Sequence, residues 1–267
     1  MCNAQHELAN SGNQNTHLLK LIALVFMCCD HAGKVFFGST IELRVIGRIA
    51  FPIYCYCAAL GACYTRSFPR YILRLLAVGV LSQPFYMLAL THPWYEFNIF
   101  ATLCLGVCAL YGIRAKWRYS HLWGPAAALL LSSVIRCDYG WKGVLLIILL
   151  YVARRQKSSL IAVMIAFCLF WGSGSRMVTS LFGIPLTFLN AALPDLAVPL
   201  LGHSSVFLNS NAFRDILSPF FALQTFALLA LPFILIPMKT KIKMPQWLNY
   251  AFYPLHLAVI ALIKAFV

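Results

Sequence analysis

Leu18-Leu19-Lys20-Leu21-Ile22-Ala23-Leu24-Val25-Phe26-Met27-Cys28-Cys29-Asp30-His31-Ala32-Gly33-Lys34-Val35-Phe36-Phe37 is apolar along most of its length, yet an acid and an imidazole stand side by side towards its end. About twenty such residues make one helical crossing of a bilayer. A segment that only held a protein in lipid would carry no ionisable pair. Such groups cost at least ~2.5 kcal/mol each at membrane depth, and those that persist usually face a polar interior and serve binding, transport or proton transfer. The plain alternative is a buried pair that only joins helices.

The rest of the chain follows the same pattern. Of its 267 residues 61% are hydrophobic and 10% charged, with a mean hydropathy of +0.80, which excludes a single water-facing domain. An all-α, polytopic integral membrane bundle of about nine or ten helices is expected, forming one domain over 1–267 with 1–17 as a polar amino-terminal segment. Spans are expected near 18–38, 44–64, 70–90, 97–113, 119–135, 140–153, 158–171, 219–237 and 247–266. Between them, 178–217 carries Pro185, Pro194, Pro199 and Asp195 and is expected to be broken or re-entrant. The segment after residue 16 lacks a signal peptide's basic flank and is expected to be retained.

The net charge of +14 is explained by topology rather than by nucleic acid. Arg66 and Arg70, then Arg114, Lys116 and Arg118, then Arg154, Arg155 and Lys157, and finally Lys239, Lys241 and Lys243 mark cytoplasmic loops. The amino terminus is then inside and the carboxyl terminus outside. The ten cysteines show no metal or redox spacing, and eight of them lie in apolar runs. No metal site is expected.

In this orientation His31, Arg48, Asn98, Asp138 and His256 fall at one level in the outer half, although they come from separate segments. Convergent polar groups of this kind define a candidate site. Lys20 and His31 are eleven residues apart, so they share a helix face with a rise of roughly 16 Å between them. Asp30 and His31 are successive and do not face one another. Asp30 is therefore expected to pair with Arg48 or another span, and His31 with a residue such as His256 or Asp138. Arg66, Arg70 and Arg74 form a basic stripe suited to phosphate. Pro52, Pro84 and Pro254 interrupt spans near the polar residues.

Lys20 to Met27 with Asp30-His31, Gly47-Arg48-Ile49-Ala50-Phe51-Pro52, Thr65-Arg66, Tyr71 to Arg74, Ser82-Gln83-Pro84, Asn98-Ile99, Asp138-Tyr139-Gly140 and Phe252-Tyr253-Pro254-Leu255-His256-Leu257 occur in that order. In this set the chain resembles the TraX family of conjugative-pilin N-acetylases. That family is similar to a broader group of membrane acyltransferases in which a basic residue precedes a first-span histidine by eleven positions. Lys20 stands where Arg is more usual.

The resemblance implies a multi-pass protein of the bacterial inner membrane that moves an acetyl group from cytoplasmic acetyl-CoA to the α-amine of a membrane-inserted pilin outside. The implied catalytic set is His31, Asp30, Arg48, Asp138 and His256, with His31 as base or transient acyl carrier. Lys20, Arg66, Arg70, Arg74, Asn98 and Tyr253 are the implied donor-side residues, with Arg48 or the Asn98 amide stabilising the oxyanion. Other readings keep a glycan hydroxyl as acceptor, make Asp30, His31, Arg48 and His256 a transporter's proton relay, or leave a structural subunit of a secretion complex.

Overall fold

A computed structural model of the chain describes residues 11–38, 40–115, 117–186, 218–238 and 245–266. The expectations for Lys116, Pro194, Asp195, Pro199, Lys239, Lys241 and Lys243, and for most of the 178–217 region, lie outside the described residues.

The fold is nearly all-α. In order come α1 (Thr16–Val35), α2 (Ile41–Gly47), α3 (Ala50–Tyr64), α4 (Phe68–Leu90), α5 (Ile99–Arg114), α6 (Ser120–Val134), α7 (Gly140–Ala153) and α8 (Lys157–Gly172). A two-stranded hairpin follows, Ser180–Leu181 against Ile184–Pro185, turning through Phe182 and Gly183, both at positive φ. Two 3-10 turns (Ser218–Phe221 and Leu223–Ala230) then lead into α9 (Leu231–Leu235), and α10 (Gln246–Phe266) closes the described chain.

α3 reads Ala-Phe-Pro-Ile-Tyr-Cys-Tyr-Cys-Ala-Ala-Leu-Gly-Ala-Cys-Tyr, apolar on every side, and it is buried on nearly every side, as such a helix must be. Phe51, Ile53, Tyr56 and Leu60 are at the centre, packed among Leu19, Leu146, Ile147, Leu150, Leu160, Met164 and Ile234. α1, α5 and α7 surround it, α10 packs along α4, and α6 lies outside α5 and α7.

The periphery reverses the polarity of a water-soluble protein. Leu73, Val80, Leu81 and Leu88 of α4 and Leu130 and Val134 of α6 are exposed, the last by 74%, while Asp30, His31, Arg48, Asn98 and His256 are buried. An outward belt of large aliphatic side chains marks a surface that meets something other than water.

Most helices lie within a few residues of the expected spans, and Gly140–Ala153 coincides with one, but they differ in their reach across a bilayer. Ile41–Tyr64 and Phe68–Leu90 are the two stretches long and apolar enough, among the described residues, to cross a bilayer unaided. Ile99–Arg114, Gly140–Ala153 and Lys157–Gly172 are shorter, with 14 to 16 residues and thus roughly 21–24 Å of rise against a hydrocarbon core of ~30 Å. The expected span at 219–237 is not one α-helix. Pro232 enters at the first turn of α9, and the residues before it wind as 3-10 turns. Pro84 and Pro254 sit inside helices that continue past them, so they do not interrupt their spans. Pro52 lies beside a short irregularity in hydrogen bonding at Arg48 and Ile49, both of which keep right-handed helical φ and ψ. It offers no N–H to the carbonyl four residues earlier, that of Arg48, and α2 stops at Gly47 before α3 begins at Ala50.

Candidate functional site

Arg48, at that irregularity, makes the first ion pair. Arg48 donates from Nη2 to Asp30 Oδ2 at 2.6 Å, and Arg44, one turn earlier, reaches Asp30 Oδ1 from Nε at 3.4 Å. Gly47 lets the two helices come this close. A Cβ there would lie 2.3 Å from the Asp30 Cβ and 2.8 Å from its Cα, a collision with backbone. Asp30 is thus held between two guanidinium groups and does not orient His31.

His31 turns the other way. Its Nδ1 lies 2.9 Å from Nε2 of His256, which α10 supplies from 225 residues along the chain. The rings are 9° from parallel, and their centroid separation of 5.1 Å fits an end-on N–H···N bond better than face-to-face stacking. His256 Nδ1 lies 3.1 Å from the Phe252 carbonyl, which can only accept. With both rings neutral, one tautomer assignment satisfies both bonds. His256 donates from Nδ1 to Phe252, its Nε2 accepts from His31 Nδ1–H, and the lone pair of His31 is left on Nε2. A histidine fixed in this way is set to take a proton at Nε2.

Two narrow cavities run along the same face of α1. The first, about 60 Å³, is lined by Lys20, Tyr54, Cys57, Tyr71, Leu75, Phe100, Leu103 and Tyr250. The second, about 20 Å³, is lined by Leu24, Met27 and Tyr253 and shares Tyr54, Phe100 and Leu103 with the first. Lys20, Leu24, Met27 and His31 follow at helical spacing, and the Tyr253 ring lies 5.3 Å from that of His256. Lys20 thus lines the first cavity, and the histidine pair lies beyond the second, next to Tyr253; together the two cavities are termed the seam.

Beyond α1 is a wider cavity of about 400 Å³, lined in part by Tyr86, His92, Glu96, Arg136, Asp138 and Trp141. Its floor is stapled by backbone bonds, Phe97 N–H to the Arg136 carbonyl and Asp138 N–H to the Phe97 carbonyl, each 2.8 Å, while the Thr102 hydroxyl donates to the Asp138 carbonyl. Burial pushes the Asp138 carboxyl up to about 6, against the opposing pull of Arg48.

The structure thus joins His31 to His256 and Asp30 to Arg48, puts Tyr253 beside the histidines and sets Asp138 in the wide cavity. It does not support three other placements. Asn98 caps α5 by accepting from the Phe100 N–H, and it spends both amide hydrogens on the Gly79 carbonyl and Gln83 Oε1, which corrects the expectation of a free oxyanion donor. Arg66 lies in the turn before α4 and not on one helical stripe with Arg70 and Arg74. All three arginines are exposed, and the cavity that Lys20 lines does not include them, because Tyr71 and Leu75 are the α4 residues that face it.

Lys34, His92 and Glu96 were not foreseen. Lys34 Nζ lies 2.9 Å from His92 Nε2, and His92 Nδ1 lies 2.6 Å from Glu96 Oε2. His92 and Glu96 are four residues apart but lie in the irregular connection 91–98, where helical spacing gives no warning of the contact.

A nearly all-α bundle with apolar residues outward and a paired ionisable site inward is the class these features define, and it is membrane-associated. The chain belongs to the TraX protein family, whose profile matches residues 15–264. An uncharacterized protein of Rickettsia prowazekii (strain Madrid E) is 27% identical over 201 residues, covering 72% of this chain and 77% of that one. Protein TraX of Escherichia coli (strain K12) is 28% identical over 200 residues, 70% of this chain and 77% of that one. The probable fimbrial assembly protein FimC, serogroup H1, of Dichelobacter nodosus is 28% identical over 163 residues, 55% of this chain and 66% of that one. No solved structure matches the chain.

Proposed function

We propose that the protein is a polytopic membrane acetyltransferase that carries an acetyl group from acetyl-CoA, entering at Lys20, to the α-amine of a pilin subunit at the opposite end of the seam. The observation that carries this reading is the seam of two narrow cavities along α1, with Lys20 lining the first and Tyr253, the neighbour of the hydrogen-bonded histidine pair, lining the second. A thin thioester arm needs such a path, and a charged nucleotide head needs a cationic mouth. At about 60 and 20 Å³ the cavities hold only a few waters' worth of volume, so the arm enters by displacing the side chains that line them. The fimbrial assembly name of the Dichelobacter relative agrees with a pilin partner. The short helices span with the bilayer thinned around them or with flanking residues reaching to its surface.

In this reading the amine attacks the thioester carbonyl while His31 Nε2 removes its proton. The N–C bond forms, the C–S bond breaks, and His31 passes the proton to the departing thiolate. His256 does not touch the substrate; it is a positioning residue that holds the tautomer. Asp30 and Arg48 keep α1 and α2 in register, and Arg48 and Arg44 act electrostatically on His31. A transporter relay through Asp30, His31, Arg48 and His256 fits less well. Among the described hydrogen bonds these residues form two separate pairs and not one chain.

The test is reconstitution in vesicles with acetyl-CoA on one side only and a peptide with a free amino terminus on the other. Acetylated peptide should form across the membrane when the donor is on the Lys20 side. Product that forms only with donor and acceptor on the same side would defeat the proposal.

A further inference from the structure

Acetylating an amine that arrives as an ammonium ion releases one proton overall: RNH₃⁺ plus acetyl-CoA gives RNH-acetyl, CoA-SH and H⁺. His31 accounts for the proton lost as the N–C bond forms, because it returns that proton to the thiolate. The proton that distinguishes ammonium from amine has to leave before attack, and it needs a separate way out.

We propose that Lys34, His92 and Glu96 form this exit; the inference rests on the acetyltransferase reading above. Lys34 is three residues beyond His31 on α1, so the two side chains are neighbours on that helix. From Lys34 Nζ the line continues through His92 to Glu96, whose side chain is 33% exposed. The Glu96 carboxylate only accepts, so the hydrogen between it and His92 belongs to Nδ1, and Nε2 is the acceptor for Lys34. The Tyr86 ring stacks on His92 at 4.7 Å, 7° from parallel, and keeps the imidazole in the plane of both bonds. The line runs from donor to acceptor at each contact, from Lys34 Nζ to His92 Nε2 and from His92 Nδ1 to Glu96 Oε2. Lys34 gives a proton to His92 Nε2 as the Nδ1 proton moves to Glu96 and then to water, and the amine so left on Lys34 takes the ammonium proton. Exchange with water at His92, whose side chain is 24% exposed, takes the proton off Nε2 and returns one to Nδ1, which restores the first tautomer. Asp30, Asp138, Glu96 and Arg44 all act on the charge of Lys34, and Arg136 and Asp138 line the cavity shared with His92 and Glu96.

The test compares two acceptors at pH 7 in purified protein supplied with acetyl-CoA. A primary alkylamine with the pKa of a lysine side chain, ~10.4, is neutral in only about one molecule in 2,500 at this pH. An arylamine arrives already neutral and has no surplus proton to lose. Lys34→Met, His92→Gln and Glu96→Gln should each slow alkylamine acetylation on the order of 10²-fold, within the usual range for a lost acid–base group, while arylamine acetylation stays close to wild type. Preserved arylamine activity shows in the same experiment that the protein is folded and His31 intact. Equal losses with both amines, or no loss with either, would overturn the exit while leaving the acetyltransferase reading in place. Absence of acetyl transfer by wild-type protein to any amine would overturn that reading and the exit with it.

Discussion

Removing Asp30 should cost far more stability than removing Asp30 and Arg48 together. The carboxylate is nearly inaccessible, its Oδ2 is 2.6 Å from Arg48 Nη2, and Arg48 itself is 6% exposed. Asp30→Ala leaves the Arg48 guanidinium buried without its hydrogen-bonded carboxylate and Arg44 close by with the same charge. Stripping one partner from a buried pair typically costs 3–5 kcal/mol, most of it the desolvation of the charge left behind. Arg44 is more exposed, at 21% of its side chain, and can turn towards solvent, so about 3–4 kcal/mol is expected here. In Asp30→Leu/Arg48→Met no charge is stranded, and most of that loss should return, to within about 1–2 kcal/mol of wild type. Equilibrium unfolding in mixed micelles, followed by circular dichroism, measures all the states. A single-variant loss below ~1 kcal/mol, or a double variant no better than the single, would refute a structural role and return Asp30 to the chemistry.

His256→Gln keeps a side chain of similar reach but cannot reproduce the imidazole bond; kcat should fall on the order of 10²-fold with little change in acetyl-CoA KM, measured by thiol release. Ala58→Leu, at the wall of the cavity that Lys20 lines, should raise acetyl-CoA KM by filling the seam, at a packing cost of ~1–3 kcal/mol, and should leave the Asp30–Arg48 pair undisturbed. The raised Asp138 value means that the folded state holds this proton more tightly than the unfolded chain. Stability is therefore lost as pH rises from about 4 to about 6, and Asp138→Asn should raise Tm more at pH 8 than at pH 4.5 in paired thermal melts. Gly47→Ala should push α1 and α2 apart, because its Cβ would lie 2.3 Å from the Asp30 Cβ and 2.8 Å from its Cα, and should lower Tm at least as far as Asp30→Ala in the same melts.

Much of the site was legible because it depends on helical geometry. The eleven-residue step from Lys20 to His31 fixes their common face whatever surrounds it, and the hundred-degree step from Asp30 to His31 separates their partners. That divergence left Arg48 or another span as the mate of Asp30, and the docking of the helices selects Arg48. The sequence could not choose between His256 and Asp138 for His31, since that depends on how α10 docks against α1 across 225 residues. Asn98 looked like a free amide because nothing in its local sequence shows Gln83 folding back onto it; the α4–α5 approach makes that contact. Lys34, His92 and Glu96 stayed hidden for a similar reason, as their meeting depends on an irregular connection with Thr91 at positive φ. The span at 219–237 was misread because hydropathy registers apolar content but not the 3-10 winding ahead of Pro232.

The intact mass of a co-expressed pilin tests the central claim most directly. With wild-type protein the mature pilin should gain one acetyl group at its amino terminus, and with His31→Ala of equal abundance and stability it should not. Acetylation that persists undiminished with His31→Ala would contradict the account.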